Sequence, residues 1–250
     1  MTLGLNVSNL NFSFHDKPLL DGISFSLNQG EFVALLGVNG SGKSTLLRCL
    51  TGFMKHHQGT IEWGGISLNK LSPLELAKIV SLVDSDGETF FFYPVREMLL
   101  LGRAPHVGFL GSFSESDHEI VSKVVSMLKL EALLDRTYRD LSRGEKQRVR
   151  LGMSLVSQTK FLLLDEPTSH LDPGHQQEIV TILRRLSKAN GMGILAVLHD
   201  VNLARFFDRM LVLNDRRIFR EGTPTEVINQ IDLDRVYGEG VFEVLQPFRW

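Results

Sequence analysis

The chain has 250 residues, 43% hydrophobic and 22% charged, the balance of a soluble globular protein with a sizeable core, and its length fits one domain carrying an insertion. A net charge of −2 argues against nucleic acid as the main partner, because phosphate backbones need a basic face. The one cysteine, Cys49, rules out an internal disulfide, and no apolar run approaches the ~20 residues that span a bilayer. Met1-Thr2-Leu3-Gly4-Leu5 lacks the basic-then-apolar pattern of a signal peptide, so the expected location is cytoplasmic unless something else holds the protein to a membrane.

Leu5 to Phe14 and Ile23 to Leu27 alternate apolar and polar residues, which predicts antiparallel strands with one buried face. Short continuous apolar runs follow at Phe32–Leu36, Ile79–Val83, Phe161–Leu164, Ile194–Leu198 and Met210–Leu213. Each is strand-length and several precede helical patterns, the signature of parallel strands buried on both faces. Between Val95 and Gln158 the pattern changes: Val95–Leu101, Asp117–Leu130 and Glu145–Val156 carry helical spacing. The expected fold is α/β, with residues 1–85 and 157–250 as the core and 86–156 as an inserted helical subdomain.

Gly37-Val38-Asn39-Gly40-Ser41-Gly42-Lys43-Ser44-Thr45 lies between the Phe32–Leu36 strand and a helix beginning near Ser44, which is the setting a phosphate-binding loop requires. Gly37, Gly40 and Gly42 let the backbone curl so that successive N–H groups point at phosphate oxygens. The helix adds its positive end. Lys43 is placed to reach the β- and γ-phosphates, and the Ser44 hydroxyl to take a Mg²⁺ position. The Phe161–Leu164 strand ends in Asp165 and Glu166, and a buried strand of an open α/β sheet delivers its C-terminal end to the ligand crevice. Asp165 is then the candidate Mg²⁺ ligand, and Glu166 the candidate general base toward an attacking water.

With these residues in place, nearly the whole chain resembles the ATP-binding cassette family. Leu141-Ser142-Arg143-Gly144-Glu145 is similar to the family signature Leu-Ser-Gly-Gly-Gln, Ser169-His170-Leu171-Asp172 to its D-loop, and His199 to its switch histidine. Phe14 falls where the family stacks an aromatic on adenine, the alternative being plain core packing. The resemblance implies a P-loop NTPase core of RecA-like type with an antiparallel β subdomain. It also implies a head-to-tail homodimer in which Ser142, the Gly144 N–H and Asp172 help enclose ATP bound on the partner. His199 would hold the γ-phosphate and water in line. Two departures stand out. Ser85 occupies the position of a glutamine that contacts Mg²⁺ and the attacking water, with Asp84, Asp86 or a water as candidates to fill the gap. Arg143 replaces a glycine, which is costly if the backbone there needs positive φ and otherwise adds a cation near the partner's phosphates. Phe90-Phe91-Phe92-Tyr93 either packs the helical subdomain or forms an exposed anchor beside the groove for a membrane partner, and His56-His57 reads as a solvated loop.

By resemblance, then, the chain is the ATPase subunit of an importer, peripheral on the cytoplasmic face of the cell membrane. It would drive a separate integral-membrane permease, served indirectly by an extracytoplasmic substrate-binding protein. The Val95–Arg103 stretch and the Glu221–Gly238 tail look like cassettes of iron-siderophore, haem or cobalamin uptake. The alternatives are a soluble assembly or remodelling ATPase, and a slow ATP-dependent switch.

Overall fold

The structure, a computed structural model, describes residues 4–55, 58–84, 92–107, 111–169, 171–228 and 236–237. Strands β1 (Gly4–Phe14) and β2 (Lys17–Asn28) come first, then β3 (Phe32–Leu36), which leads into helix α1 (Lys43–Leu50). A hairpin of β4 (Gln58–Trp63) and β5 (Ile66–Ser67) precedes α2 (Pro73–Ile79) and β6 (Val80–Val83). Three helices follow, α3 (Val95–Leu101), α4 (Glu115–Leu128) and α5 (Arg143–Val156). The chain then returns through β7 (Phe161–Asp165), α6 (Pro173–Asn190), β8 (Gly193–Val197), β9 (Arg209–Asn214), β10 (Arg217–Gly222) and α7 (Pro224–Val227).

The strands make two sheets. One is antiparallel, in the order β2-β1-β4-β5; the other runs β10-β9-β3-β8-β7-β6, parallel from β9 to β6 with β10 antiparallel at its edge. The central strands are continuous apolar runs because both of their faces are covered. Phe32, Ala34 and Leu36 of β3 enter one core with α5 and α6, while Val33 and Leu35 enter a second core shared with β1, β2 and α1. The same alternation recurs on β7, where Leu162 and Leu164 face the first core and Phe161 and Leu163 the second.

Some boundaries differ from the sequence expectation. Ile79 closes α2 instead of opening a strand: the helix starts at the Ser72 cap, whose side chain accepts the Glu75 N–H while the Glu75 carboxylate accepts the Ser72 N–H, and the backbone becomes extended only at Val80. The antiparallel sheet gains β4 and β5, turned at Gly64-Gly65, both with positive φ. Helix α6, with 18 residues, begins at Asp172-Pro173 and ends at Gly191, which is left-handed. The parallel strands therefore present the ends of β3, β6, β7 and β8 along one rim, and the phosphate loop leaves from the middle of it.

Candidate functional site

The loop after β3 has the backbone that its glycines permit. Gly37, Gly40 and Gly42 have φ of +151°, +79° and +105°, and Gly42 caps α1 from the left-handed region. At Gly37 a side chain has no room, since a Cβ there would stand 2.2 Å from the Leu213 carbonyl oxygen of β9. The Gly37 N–H donates to the Tyr237 hydroxyl at 3.1 Å. Val38, Asn39 and Gly40 are exposed at the tip, and Ser44 and Thr45 are half-buried on the first turn of α1.

Lys43 is buried, and its ammonium donates to the carbonyls of Gly37 at 2.8 Å and Val38 at 2.9 Å. The lysine thus braces the loop from inside. Burial lowers its pKa, and the nearby charges of Glu166 and Asp165 act in the opposite sense. Ser41 Oγ is buried without a hydrogen-bond partner, a polar atom turned into the loop with nothing to bond.

Asp165, only 2% exposed at the end of β7, hydrogen-bonds the Ser44 side chain, while its Oδ1 has no partner. Burial raises its pKa first; the Ser44 hydrogen bond lowers it, Glu166 and Asp84 raise it, and Arg48 lowers it. A desolvated carboxylate with an orphaned oxygen beside a hydroxyl fits a hard divalent cation. Mg²⁺ takes few protein ligands and fills its shell with phosphate and water oxygens. Among the described residues there is no group of three or more His, Cys, Asp or Glu that could hold a metal.

Glu166 follows with φ +52°, a conformation that a non-glycine residue adopts at a cost. Its carbonyl accepts from the Ser169 N–H and hydroxyl, at 3.1 and 2.9 Å, which locks the turn. The turn aims the carboxylate at His199, just beyond β8, and Glu166 Oε1 lies 2.5 Å from His199 Nε2. Phosphate loop, Asp165, Glu166 and His199 therefore meet on one rim.

The remaining predicted residues lie apart from that group. Ser142 caps α5: its side chain accepts from the Glu145 N–H, and the Glu145 carboxylate accepts from the Ser142 N–H. None of the hydrogen bonds among the described residues links Ser142 or Gly144 to the phosphate loop. Arg143 is the first residue of α5 and has no positive φ, so the expected backbone cost does not arise. Gly144 stands close to Leu171, 3.0 Å from where a Cβ would sit. Asp172 caps α6, accepting from the His175 N–H and meeting the His175 ring. Phe14 is 53% exposed, which removes the core-packing alternative. Ser85, Asp86, Phe90, Phe91, His56, His57 and His170 lie outside the described residues. Asp84, one candidate to fill the gap at Ser85, turns its carboxylate to Arg48 instead, at 3.0 and 3.1 Å. Sequence reading missed Tyr237 and Arg48, since neither belongs to a spaced motif.

Residues 20–169, from β2 to the turn after β7, match the family model described as ABC transporter. The chain belongs to the ABC transporter family. It is 40% identical to an uncharacterized ABC transporter ATP-binding protein of Methanocaldococcus jannaschii, over 94% of this chain and 91% of that one. It is 35% identical to the hemin import ATP-binding protein HmuV of Escherichia coli, over 97% and 95% of the two chains. It is 33% identical to the iron(3+)-hydroxamate import ATP-binding protein FhuC of Bacillus subtilis, over 93% and 87%. Among solved structures, a dimeric ATP-binding cassette in a post-hydrolysis state with ADP and Pi superposes with a TM-score of 0.78 at 25% identity, covering 88% of this chain and 98% of that one. This cassette is an ATP-binding ATPase with the mixed α/β fold of its relatives. Among the described residues no helix is long and apolar enough to cross a membrane.

Proposed function

We propose that two copies of this cassette sit on the cytoplasmic face of a membrane and drive a separate permease that imports an iron chelate or haem. The roles follow the geometry of the rim. The phosphate loop and Lys43 bind the β- and γ-phosphates of ATP; Lys43 releases the Gly37 and Val38 carbonyls as it does so. Ser44 and Asp165 would hold Mg²⁺, which would supply neutralisation of the developing charge on the phosphates. Glu166 accepts the proton of the attacking water and His199 orients the γ-phosphate, after the direct pair between them opens. Ser142, Gly144 and Asp172 serve the nucleotide on the partner copy, which is why they lie apart from the loop in one chain. Phe14 offers its exposed face to adenine.

The observation that carries the membrane role is a cleft of about 1020 Å³ between the turn after α1, α2, β6, α3 and α5, which runs from the outer surface to Asp84 at the end of β6. Met54, Leu71, Leu76 and Met153 line it, and Phe53 and Leu101 stand at 74% and 42% exposure beside it. An apolar trough of this size on a surface otherwise rich in charge is suited to the end of a permease helix. Phe92 and Tyr93, 68% and 51% exposed, belong to the aromatic run expected to border it. Hemin and iron(3+)-hydroxamate importers among the relatives favour transport over a soluble assembly factor, and favour iron chelates or haem over cobalamin. A substrate-binding protein outside the membrane would choose the cargo, since the cassette itself touches none of it.

The test is co-purification from membranes with a multi-helix permease, for wild type and for Phe53→Glu. The proposal expects the wild type to retain the permease and the variant to lose it while still binding ATP. A cassette that binds ATP and never associates with a membrane protein would overturn the transport role.

A further inference from the structure

Polar contacts lie at two levels along β6, and the one at its end joins the core to the helical subdomain. Near its start, Ser81 Oγ lies 2.7 Å from Ser157 Oγ, just after α5, and Thr159 adds a bond to Ser81. That level lies within the core, where α5 runs into β7. Three residues further on, about 10 Å at strand spacing, Asp84 stands just past the end of β6, on the nucleotide side. Arg48, on α1 about 8 Å beyond Lys43 along the helix, donates Nε and a terminal nitrogen to the two Asp84 carboxylate oxygens at 3.0 and 3.1 Å. From the other side Arg150 of α5 donates to the Asp84 backbone carbonyl at 2.9 Å and to Gln147 Oε1 at 2.8 Å. Both side chains of the Arg48–Asp84 pair are about a quarter to a third exposed, at 27% and 32%. Planar two-armed pairing of this kind fixes direction as well as distance.

We infer that Arg48, Asp84 and Arg150 form a strut that fixes the helical subdomain, and with it the α5 signature, relative to the helix that carries the phosphate loop. Asp84 is a positioning residue. It sits next to Ser85 in the sequence, where the family resemblance expects a glutamine, and gives this chain a charged link at that point. Asp84 and Arg150 also line the cleft, so the strut connects the proposed permease groove to the nucleotide rim. The consequence for turnover rests on the proposed ATPase cycle. The geometric consequence does not.

Spin labels on Ser122→Cys in α4 and Ala189→Cys in α6, both at exposed positions, read the subdomain distance in the full chain. The native Cys49 is buried, with its thiol pushed up to about 12 by desolvation, so it stays unlabelled. The strut predicts one narrow distance in wild type. Asp84→Ala and Arg150→Ala should each shift or broaden it by about 2 Å, and Arg48→Ala with Asp84→Ala together no more than Asp84→Ala alone. In ATPase assays Asp84→Ala should lower kcat about fivefold or more and leave ATP affinity unchanged, a split that general destabilisation does not produce. If Asp84→Ala fails to fold, Arg150→Lys supplies the same readouts, keeping the charge without the two-armed reach. Distance distributions that superpose on wild type in the variants would overturn the strut. Absence of turnover in wild type would count against the ATPase cycle alone, and the distances would still decide the strut.

Discussion

Gly37→Ala places a methyl group where the structure has no space for it. The new Cβ would lie 2.2 Å from the Leu213 carbonyl oxygen and 2.9 Å from Ser41 Oγ, whereas a carbon–oxygen contact normally needs about 3.3 Å or more. One backbone must therefore retreat by about 1 Å, and neither can do so freely. Leu36 precedes the loop in β3, which pairs with β9 through Leu36 and Val212, so the collision falls between two central strands. A φ of +151° adds strain for any side chain. Overpacking of about 1–3 kcal/mol and backbone strain of about 1–3 kcal/mol together predict a loss of about 2–6 kcal/mol, divided between global stability and displacement of the loop. Gly40→Ala is the matched control, because its φ is +79° but nothing lies within 4 Å of the added carbon. Urea unfolding and titration with a fluorescent ATP analogue would separate the two effects. Gly37→Ala should bind at least about tenfold more weakly, or about 1.4 kcal/mol, and unfold at lower urea, while Gly40→Ala should lose only about 1 kcal/mol of stability to backbone strain. Equal effects of the two substitutions, or a Gly37→Ala protein with wild-type affinity and midpoint, would refute the steric reasoning.

Lys43→Met removes both the brace across the Gly37 and Val38 carbonyls and the phosphate contact, so the thermal shift induced by Mg²⁺-ATP in wild type should vanish. Asp165→Asn should raise the melting temperature of the nucleotide-free protein while abolishing the Mg²⁺ dependence of ATP binding. The sign follows from its raised pKa: the folded state disfavours the carboxylate, so Asp165 lowers stability as pH rises through and above its unfolded value. Asp117 behaves in the opposite way. Its carboxylate accepts hydrogen bonds from Ser114 and, at 2.7 Å, from Arg103, which hold its pKa well below the usual range. The resulting stability is present above the unfolded value near 4 and is lost as pH falls toward the depressed folded value. Wild type should therefore exceed Asp117→Asn in stability at neutral pH, with the gap closing in acid; a gap independent of pH would refute this.

The parallel strands were legible because covering both faces leaves a continuous apolar run, as in Phe32–Leu36 and Phe161–Leu164. The phosphate loop was legible because its chemistry fixes residue type and spacing within nine positions. The hairpin of β4 and β5 passed unnoticed although Ile61 and Trp63 alternate with polar neighbours and Gly64-Gly65 marks the turn. Helix α6 carried its own start and stop signals in Asp172-Pro173 and Gly191. Arg143 looked costly only while its φ was open, and Ser142-x-x-Glu145 already described a capping box that makes it the first helical residue. Other features were out of reach of any local pattern. Gly37 and Tyr237 stand 200 positions apart, and Arg48 and Asp84 stand 36 apart. Such pairs are set by how the sheet orders its strands, which no window along the chain encodes. The direct contact of Glu166 with His199 belongs to the same class, since each motif predicted a role but neither predicted the other as its partner.

The central claim is that Glu166, held at φ +52° at the end of β7, takes the proton from water at a site completed by a second copy. ATPase rate and molecular mass should be followed together across protein concentration, for wild type and Glu166→Gln. The account predicts a wild-type rate per subunit that rises with concentration, and a mutant rate lower by about 10²–10⁴-fold, with the mutant accumulating as an ATP-bound dimer. A Glu166→Gln protein that hydrolyses ATP at the wild-type rate, or a wild type equally active as a dilute monomer, would contradict it.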